Sequence, residues 1–196
     1  GDWSSDVCSS DLFSFNGASD YIDLGSNTVF DAYQKSFSLL TWVKTPQYTT
    51  QYSQTIFSNR NPSIGGLKLG IVSTGTAGSE GKVLFSSSGS NADAVFSSVA
   101  FPLNHWTLLA VTYNFNGGDN NEVNFYIDGQ RVNDADNIIN DILSPNGINT
   151  FIGYESFSPV GLDYFFEGQL DAFRVYNCAL TIDEVDSIWK AECVPF

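Results

Sequence analysis

The sequence predicts an all-β domain, a sandwich of two antiparallel sheets closed by one short helix. Three observations predict it. The 196 residues include 16 Phe and nine Tyr, side chains that suit the pleated, half-buried surface of a strand. Short apolar or alternating runs recur along the chain, separated by Gly, Asn, Asp, Pro and Ser clusters. The spacing of apolar residues becomes helical only near the C-terminus. At 42% hydrophobic residues the chain can bury one sizeable core, and no linker or fixed-period repeat divides it.

The elements follow in order. Residues 13–25, FSFNGASDYIDLG, place two alternating runs either side of an Asn16–Gly17–Ala18–Ser19 turn. SFSLLTWVK (36–44) alternates, with Phe37 and Leu39 on one face and Leu40 and Trp42 on the other. QTIFS (54–58), LKLGIVS (67–73) and KVLFSSS (82–88) follow, linked by the turn-rich NRNPSIGG and TGTAGSEG. HWTLLAVTYN (105–114) is a nearly continuous strand signal. EVNFYIDG (122–129) then leads through Asp128–Gly129 into QRV, the chemistry of a two-residue hairpin. TFIGYE (150–155) and YFFEGQLDAFRVY (164–176) complete the strands. In TIDEVDSIWKAE (181–192), Thr181 and Glu184 have capping-box spacing, and Val185, Ile188 and Trp189 recur on one helical face.

The first twelve residues, GDWSSDVCSSDL, differ in composition from the rest. They resemble translated sequencing-adapter read-through, so 1–12 are read as a non-native leader, 13–192 as the domain and 193–196 as the start of a tail or linker. The sequence contains no Met, which marks a processed or incomplete product.

Charge narrows the function. The formal net charge is −14, which disfavours nucleic acid and anionic membranes as partners. Acidic side chains can supply oxygen ligands for a hard cation such as calcium, although most of them serve solubility. No apolar run is long enough to span a bilayer. Cysteines at 8, 178 and 193 match no zinc spacing and point mildly to an oxidising compartment.

The order of motifs resembles the laminin G-like domains of the concanavalin A-like jelly-roll superfamily. The residues that carry the resemblance are FSFNGASDYIDLG, SFSLLTWVK, NHWTLLAVTYN, VNFYIDGQRV, FIGYE and FFEGQLDAFRVYNCALTIDEV, covering about residues 13 to 190. The resemblance implies a jelly roll whose N- and C-terminal strands lie side by side. It also implies a calcium ion at the opening turn, held by Asp20, Asp171 and the turn residues Asn16 and Gly17. Asp23 is expected at the surface. The alternative for Asp20 is a side chain that caps the turn backbone.

Catalysis finds little support. The lone His105 sits in a strand signal beside Trp106. The nearest carboxylate pair, Glu122 and Asp128, lies about 20 Å apart on an extended strand, too far for one glycosidic cleavage. Binding fits better. Tyr48, Tyr52, Tyr154, Phe157 and Tyr164 lie in or beside loops, and such rings stack on sugars or anchor protein partners. The acidic loops NGGDNNE (116–122) and NDADNIIND (133–141) read as solvated turns. The expectation is therefore a non-catalytic module outside the cell, recognising a glycan or an extracellular protein, with calcium as cofactor. It is also read as a candidate piece of a larger multidomain chain. A structural subunit of an extracellular assembly is the alternative, and a glycan hydrolase a distant one.

Overall fold

A computed structural model describes residues 12–26, 35–49, 52–61, 63–75, 78–89, 93–133, 137–145, 147–157 and 162–192. The strands are β1 (Phe13–Asn16), β2 (Ile22–Asp23), β3 (Phe37–Lys44), β4 (Ser53–Ser58), β5 (Leu67–Val72), β6 (Lys82–Ser87), β7 (Ala94–Ala100), β8 (Thr107–Asn114), β9 (Asn121–Ile127), β10 (Gln130–Arg131), β11 (Ile138–Ile139), β12 (Phe151–Ile152), β13 (Tyr154–Phe157), β14 (Leu162–Phe165) and β15 (Glu167–Tyr176), followed by helix α1 (Ile182–Glu192). One sheet runs β1-β15-β3-β8-β9-β10 with β11 on β9, the other runs β2-β12-β4-β5-β6-β7, and β13 and β14 form a separate hairpin. The pairings are antiparallel.

The two sheets enclose one apolar core. Phe37, Leu39 and Val43 point inward from β3 to meet Phe57, Leu69, Ile71 and Phe85 from the opposite sheet and Val111, Tyr113 and Phe125 from their own. Leu40 faces the other way, as period-two alternation requires. With Ala110 and Tyr126 it forms a second apolar patch, covered by Leu180 and Val185 at the start of the helix. The predicted capping box is present: the Glu184 carboxylate accepts from the Thr181 amide at 2.8 Å, and the Thr181 hydroxyl accepts from the Glu184 amide at 3.3 Å. At the far end of α1, Glu192 pairs with Arg174 at 2.6 Å and accepts from the Trp42 indole at 2.8 Å.

The terminal strands are neighbours, with Phe13 opposite Leu170 and Asn16 opposite Glu167. Asp128 and Gly129 take φ of 49° and 77°, the two positive values a type I′ turn requires, and the Asp128 carboxylate accepts from the Leu108 amide at 2.9 Å. The strands differ from the sequence expectation in four places. YFFEGQLDAFRVY divides at Phe166 into β14 and β15, and NDADNIIND, read as a solvated turn, supplies β11 with Ile139 buried. β7 is an additional strand. TFIGYE is not one strand but two, because Gly153 breaks it at φ 82°. A Cβ at that position would lie 2.5 Å from the Phe15 ring.

Candidate functional site

The break at Gly153 creates the most distinctive local feature of the domain. β13 and β14 leave the sandwich as a hairpin between β12 and β15. Its base is pinned by two hydrogen bonds, Gly153 N–H to the Ile56 carbonyl and Phe166 N–H to the Gly153 carbonyl, each at 2.9 Å. Phe166 is buried against Phe15, with ring centroids 5.8 Å apart. Tyr154 opposes Phe165, and Glu155 opposes Tyr164. Side chains alternate along a strand, so each pair projects from a different face of the hairpin.

The inner face holds the hairpin to the six-stranded sheet by charge. Glu155 and Lys68 are each 1% exposed. One carboxylate oxygen of Glu155 accepts from the Arg60 Nε at 2.5 Å, and the other accepts from the Lys68 ammonium. A second Arg60 nitrogen donates to the Ser86 hydroxyl at 3.3 Å. The Tyr164 ring lies over the Lys68 ammonium, 4.4 Å from nitrogen to centroid, a cation–π contact in a dry site. Burial pushes the Lys68 ammonium down to about 8, against the upward pull of Glu155.

The outer face presents aromatic rings. Tyr21 stacks on Tyr154, with centroids 5.0 Å apart and planes inclined by 30°. Phe151 meets both rings edge-on, and Phe165 lies 4.8 Å from Tyr154. Tyr21 is 50% exposed. The Tyr154 hydroxyl donates to Asp163 at 2.8 Å, which fixes one polar handle at the rim of the platform.

The expected binding tyrosines therefore divide. Tyr154 belongs to the outer platform. Tyr52, 67% exposed, and the buried Tyr164 come together with centroids 6.2 Å apart. Tyr48 is separate: its hydroxyl donates to the Phe101 carbonyl at 2.6 Å and its ring packs against Gly81, so it acts as a brace within the fold. The Phe157 side chain lies outside the described residues. Tyr21 was not anticipated as a binding residue, although its place between two turn carboxylates in SDYID is the kind of exposed aromatic signal that marks a surface site.

The expected calcium ligands do not converge. Asp171 lies four residues beyond Glu167 on β15, about 13 Å along the strand, opposite Trp42 rather than beside the turn. Its carboxylate accepts from the Ala172 amide at 2.7 Å, and its carbonyl from the Thr41 hydroxyl at 2.9 Å. These bonds hold a bulge in which Ala172 takes φ of 49°. Asp20 faces elsewhere. Gly17 donates across to the Phe166 carbonyl, so the alternation of an antiparallel ladder turns the Asn16 amide away from β15. Asp20 accepts from that amide at 3.1 Å. The Asn16 side-chain oxygen in turn accepts from the amides of Ala18, Ser19 and Asp20. Glu167, not Asp171, stands over Gly17. Among the described residues no group of three or more His, Cys, Asp and Glu side chains could hold a metal ion. The residues present thus do not fit a calcium shared between Asp20 and Asp171. Asp20→Ala is expected to cost about 1 kcal/mol through the lost turn bonds, and chelator to leave the parent's unfolding midpoint unchanged. A calcium-dependent rise that Asp20→Asn removes and Asp171→Asn keeps would place an ion at the turn.

The residues weighed for catalysis have other work. Glu122 pairs with Arg131 at 2.9 Å and Asp128 holds its turn. His105 is exposed, with its Nδ1 3.1 Å from the Leu103 carbonyl oxygen. Cys178 is exposed and forms no disulfide among the described residues, while Cys8 and Cys193 lie outside them. No described helix is long and apolar enough to cross a membrane.

Comparison with known proteins agrees with this architecture. The receptor-binding domain of botulinum neurotoxin type G superposes with a TM-score of 0.60 at 17% identity, over 92% of this chain and 42% of that one. A heptameric SAP-like pentraxin from Limulus polyphemus gives 0.59 at 16%, over 93% and 83%. Domain 4 of an extracellular arabinanase from Geobacillus stearothermophilus, in complex with arabinotriose, gives 0.54 at 23%, over 79% and 66%. The chain thus spans less than half the length of the toxin domain. No curated protein sequence matches it. A laminin G-type family profile matches residues 16–186, and the chain belongs to the concanavalin A-like lectin/glucanase superfamily.

Proposed function

We propose that the chain is a non-catalytic glycan-binding module that works outside the cell, with the outer face of the β13–β14 hairpin as its binding surface. The observation that carries this reading is the half-exposed Tyr21 stacked on Tyr154, with Phe151 and Phe165 behind. A rigid aromatic surface of this kind stacks on the C–H face of a sugar ring, and a neighbouring carboxylate accepts from its hydroxyls. Asp163 is placed to do so once a ligand displaces or shares its bond from Tyr154. The arabinotriose complex of the arabinanase domain lends the reading support by analogy of fold.

Titration with arabinotriose, xylotriose and cellotriose tests it. At least one is expected to bind, with Tyr21→Ala weakening that binding tenfold or more at an unchanged unfolding midpoint and no sugar being released. Absence of binding by all three, or equal binding by Tyr21→Ala, would count against the platform. Release of shortened sugars would count against the non-catalytic reading. A screen against extracellular proteins is the second arm, and a Tyr21-dependent protein complex formed without any glycan response would replace the glycan by a protein partner.

A further inference from the structure

A second surface, on the opposite sheet, has the make-up of a ligand site. An open groove of about 360 Å³ runs over the ends of β1, β15 and β3, bordered by Ser14, Lys44, Pro46, Asn104, Glu167 and Gln169. That volume lies at the lower end of the range for small-molecule sites. Its floor is bare backbone at Gly168, where φ is 142° and a Cβ would lie 2.3 Å from the Lys44 carbonyl oxygen. No larger residue is accommodated there, because its Cβ would run into the β3 backbone and the buried Phe166 ring, so the glycine lets β15 lie this close to β3 beneath the groove.

The polar groups around it are largely uncommitted. The side chains of Lys44 and Asn104 make no hydrogen bond or ion pair with the described residues. Gln169 donates only a long 3.4 Å bond to the Ser14 hydroxyl. Glu167 is held in place by Gln47 at 3.0 Å, which leaves acceptor capacity on its carboxylate. Asn104 sits at φ 67°, and its amide donates to the Thr45 carbonyl at 2.9 Å, so a fixed turn presents its side chain. The groove thus offers donors and acceptors together, and the Pro46 ring and Lys44 stem supply apolar wall.

We infer that this groove is a second saccharide site and that it takes a short neutral sugar. Neutrality follows from charge: Lys44 and Glu167 offset one another locally, and a protein of net charge −14 disfavours acidic sugars. Donors and acceptors side by side match the vicinal hydroxyls of a sugar, each of which both donates and accepts. The inference rests on the reading of the chain as a glycan-binding module but uses none of the platform residues.

The test follows the side-chain amide signals of Asn104 and Gln169 by NMR during titration with the same three neutral trisaccharides. At least one probe is expected to shift both signals. Lys44→Met, read at both signals, and Asn104→Gly, read at the remaining Gln169 signal, are each expected to weaken the affinity that the titration gives about tenfold, the loss of one good hydrogen-bonding group. Glycine tolerates the φ at position 104, so both variants should keep the parent's unfolding midpoint. Shifts confined to the Tyr21–Tyr154 surface would overturn the groove and leave the platform standing. Shifts confined to the groove would support it and overturn the platform. No shift anywhere, or groove shifts undiminished in both variants, would overturn the inference.

Discussion

Glu155→Ala is expected to lower the stability of the domain by about 3–5 kcal/mol, read as a shift of the urea midpoint at constant slope. The reason is the asymmetry of buried ion pairs. Glu155 and Lys68 are both removed from water, and each ion is tolerable only because the other is there. Truncation leaves Lys68 beneath Tyr164 with the like-charged Arg60 nearby and no anion, so it must either stay an unpaired ammonium or give up its proton, and both cost stability. The hairpin loses the plug that holds its inner face to β5, while Tyr154 sits on the next residue of the same strand. Sugar affinity at the platform is therefore expected to fall with stability, although Glu155 touches no exposed ring of it. Glu155→Gln keeps the shape and an acceptor oxygen, so it should lose less than Glu155→Ala. A loss below about 1 kcal/mol in Glu155→Ala would show that the triad relaxes into water and that the hairpin is held by its rings alone.

The sequence carried the sandwich well because the physics of its strands is local. FSLLTWVK alternates, and the fold uses that alternation, burying Phe37, Leu39 and Val43 between the sheets and Leu40 beneath α1. The Asp128–Gly129 turn and the Thr181–Glu184 cap are decided within four residues and appear as expected. β7 carries a weak sequence signal because one of its two buried positions, Ser97, is a serine. Ser97 is fully buried, yet its hydroxyl donates to the Val99 carbonyl and accepts from the Val83 amide. Polarity there reflects backbone satisfaction, not exposure.

The site was less legible, for a physical reason. Lys68 in LKLGIV alternates with apolar neighbours and reads as a solvated residue on an outer face. What buries it is a hairpin whose Glu155 lies 87 residues downstream, folded back because Gly153 redirects the chain. No local pattern encodes that return. The separation of Asp171 from the Asn16–Asp20 turn has a related cause. The motif order implies that β1 and β15 are adjacent but does not fix their register, and register puts Glu167 rather than Asp171 opposite Asn16.

The buried lysine also sets a pH response. Its ammonium is pushed from 10.5 down to about 8, burial being the main cause and Glu155 the main opposition. Above pH 8 the folded chain releases a proton that the unfolded chain keeps until about 10.5, so the unfolded state holds more protons across that window. Stability therefore rises with pH between 8 and 10.5, by up to about 3 kcal/mol from this group. Tyrosines act in the opposite direction at higher pH. Burial raises Tyr113 to about 12 and moves Tyr48, Tyr126, Tyr154 and Tyr164 upward as well, so the folded state retains protons that the unfolded state loses from about pH 10. The lysine contribution is separated by subtraction. Lys68→Met leaves Glu155 its Arg60 partner and keeps the stem packed, so a modest loss is expected at pH 7. Between pH 8 and 10.5 the parent should then gain on the variant, because the tyrosine contributions cancel in the difference. Urea unfolding of both proteins at half-unit steps across that window measures the gain. Parallel curves would mean that Lys68 keeps its proton throughout, in which case the Glu155 carboxylate outweighs the cost of burying the ammonium.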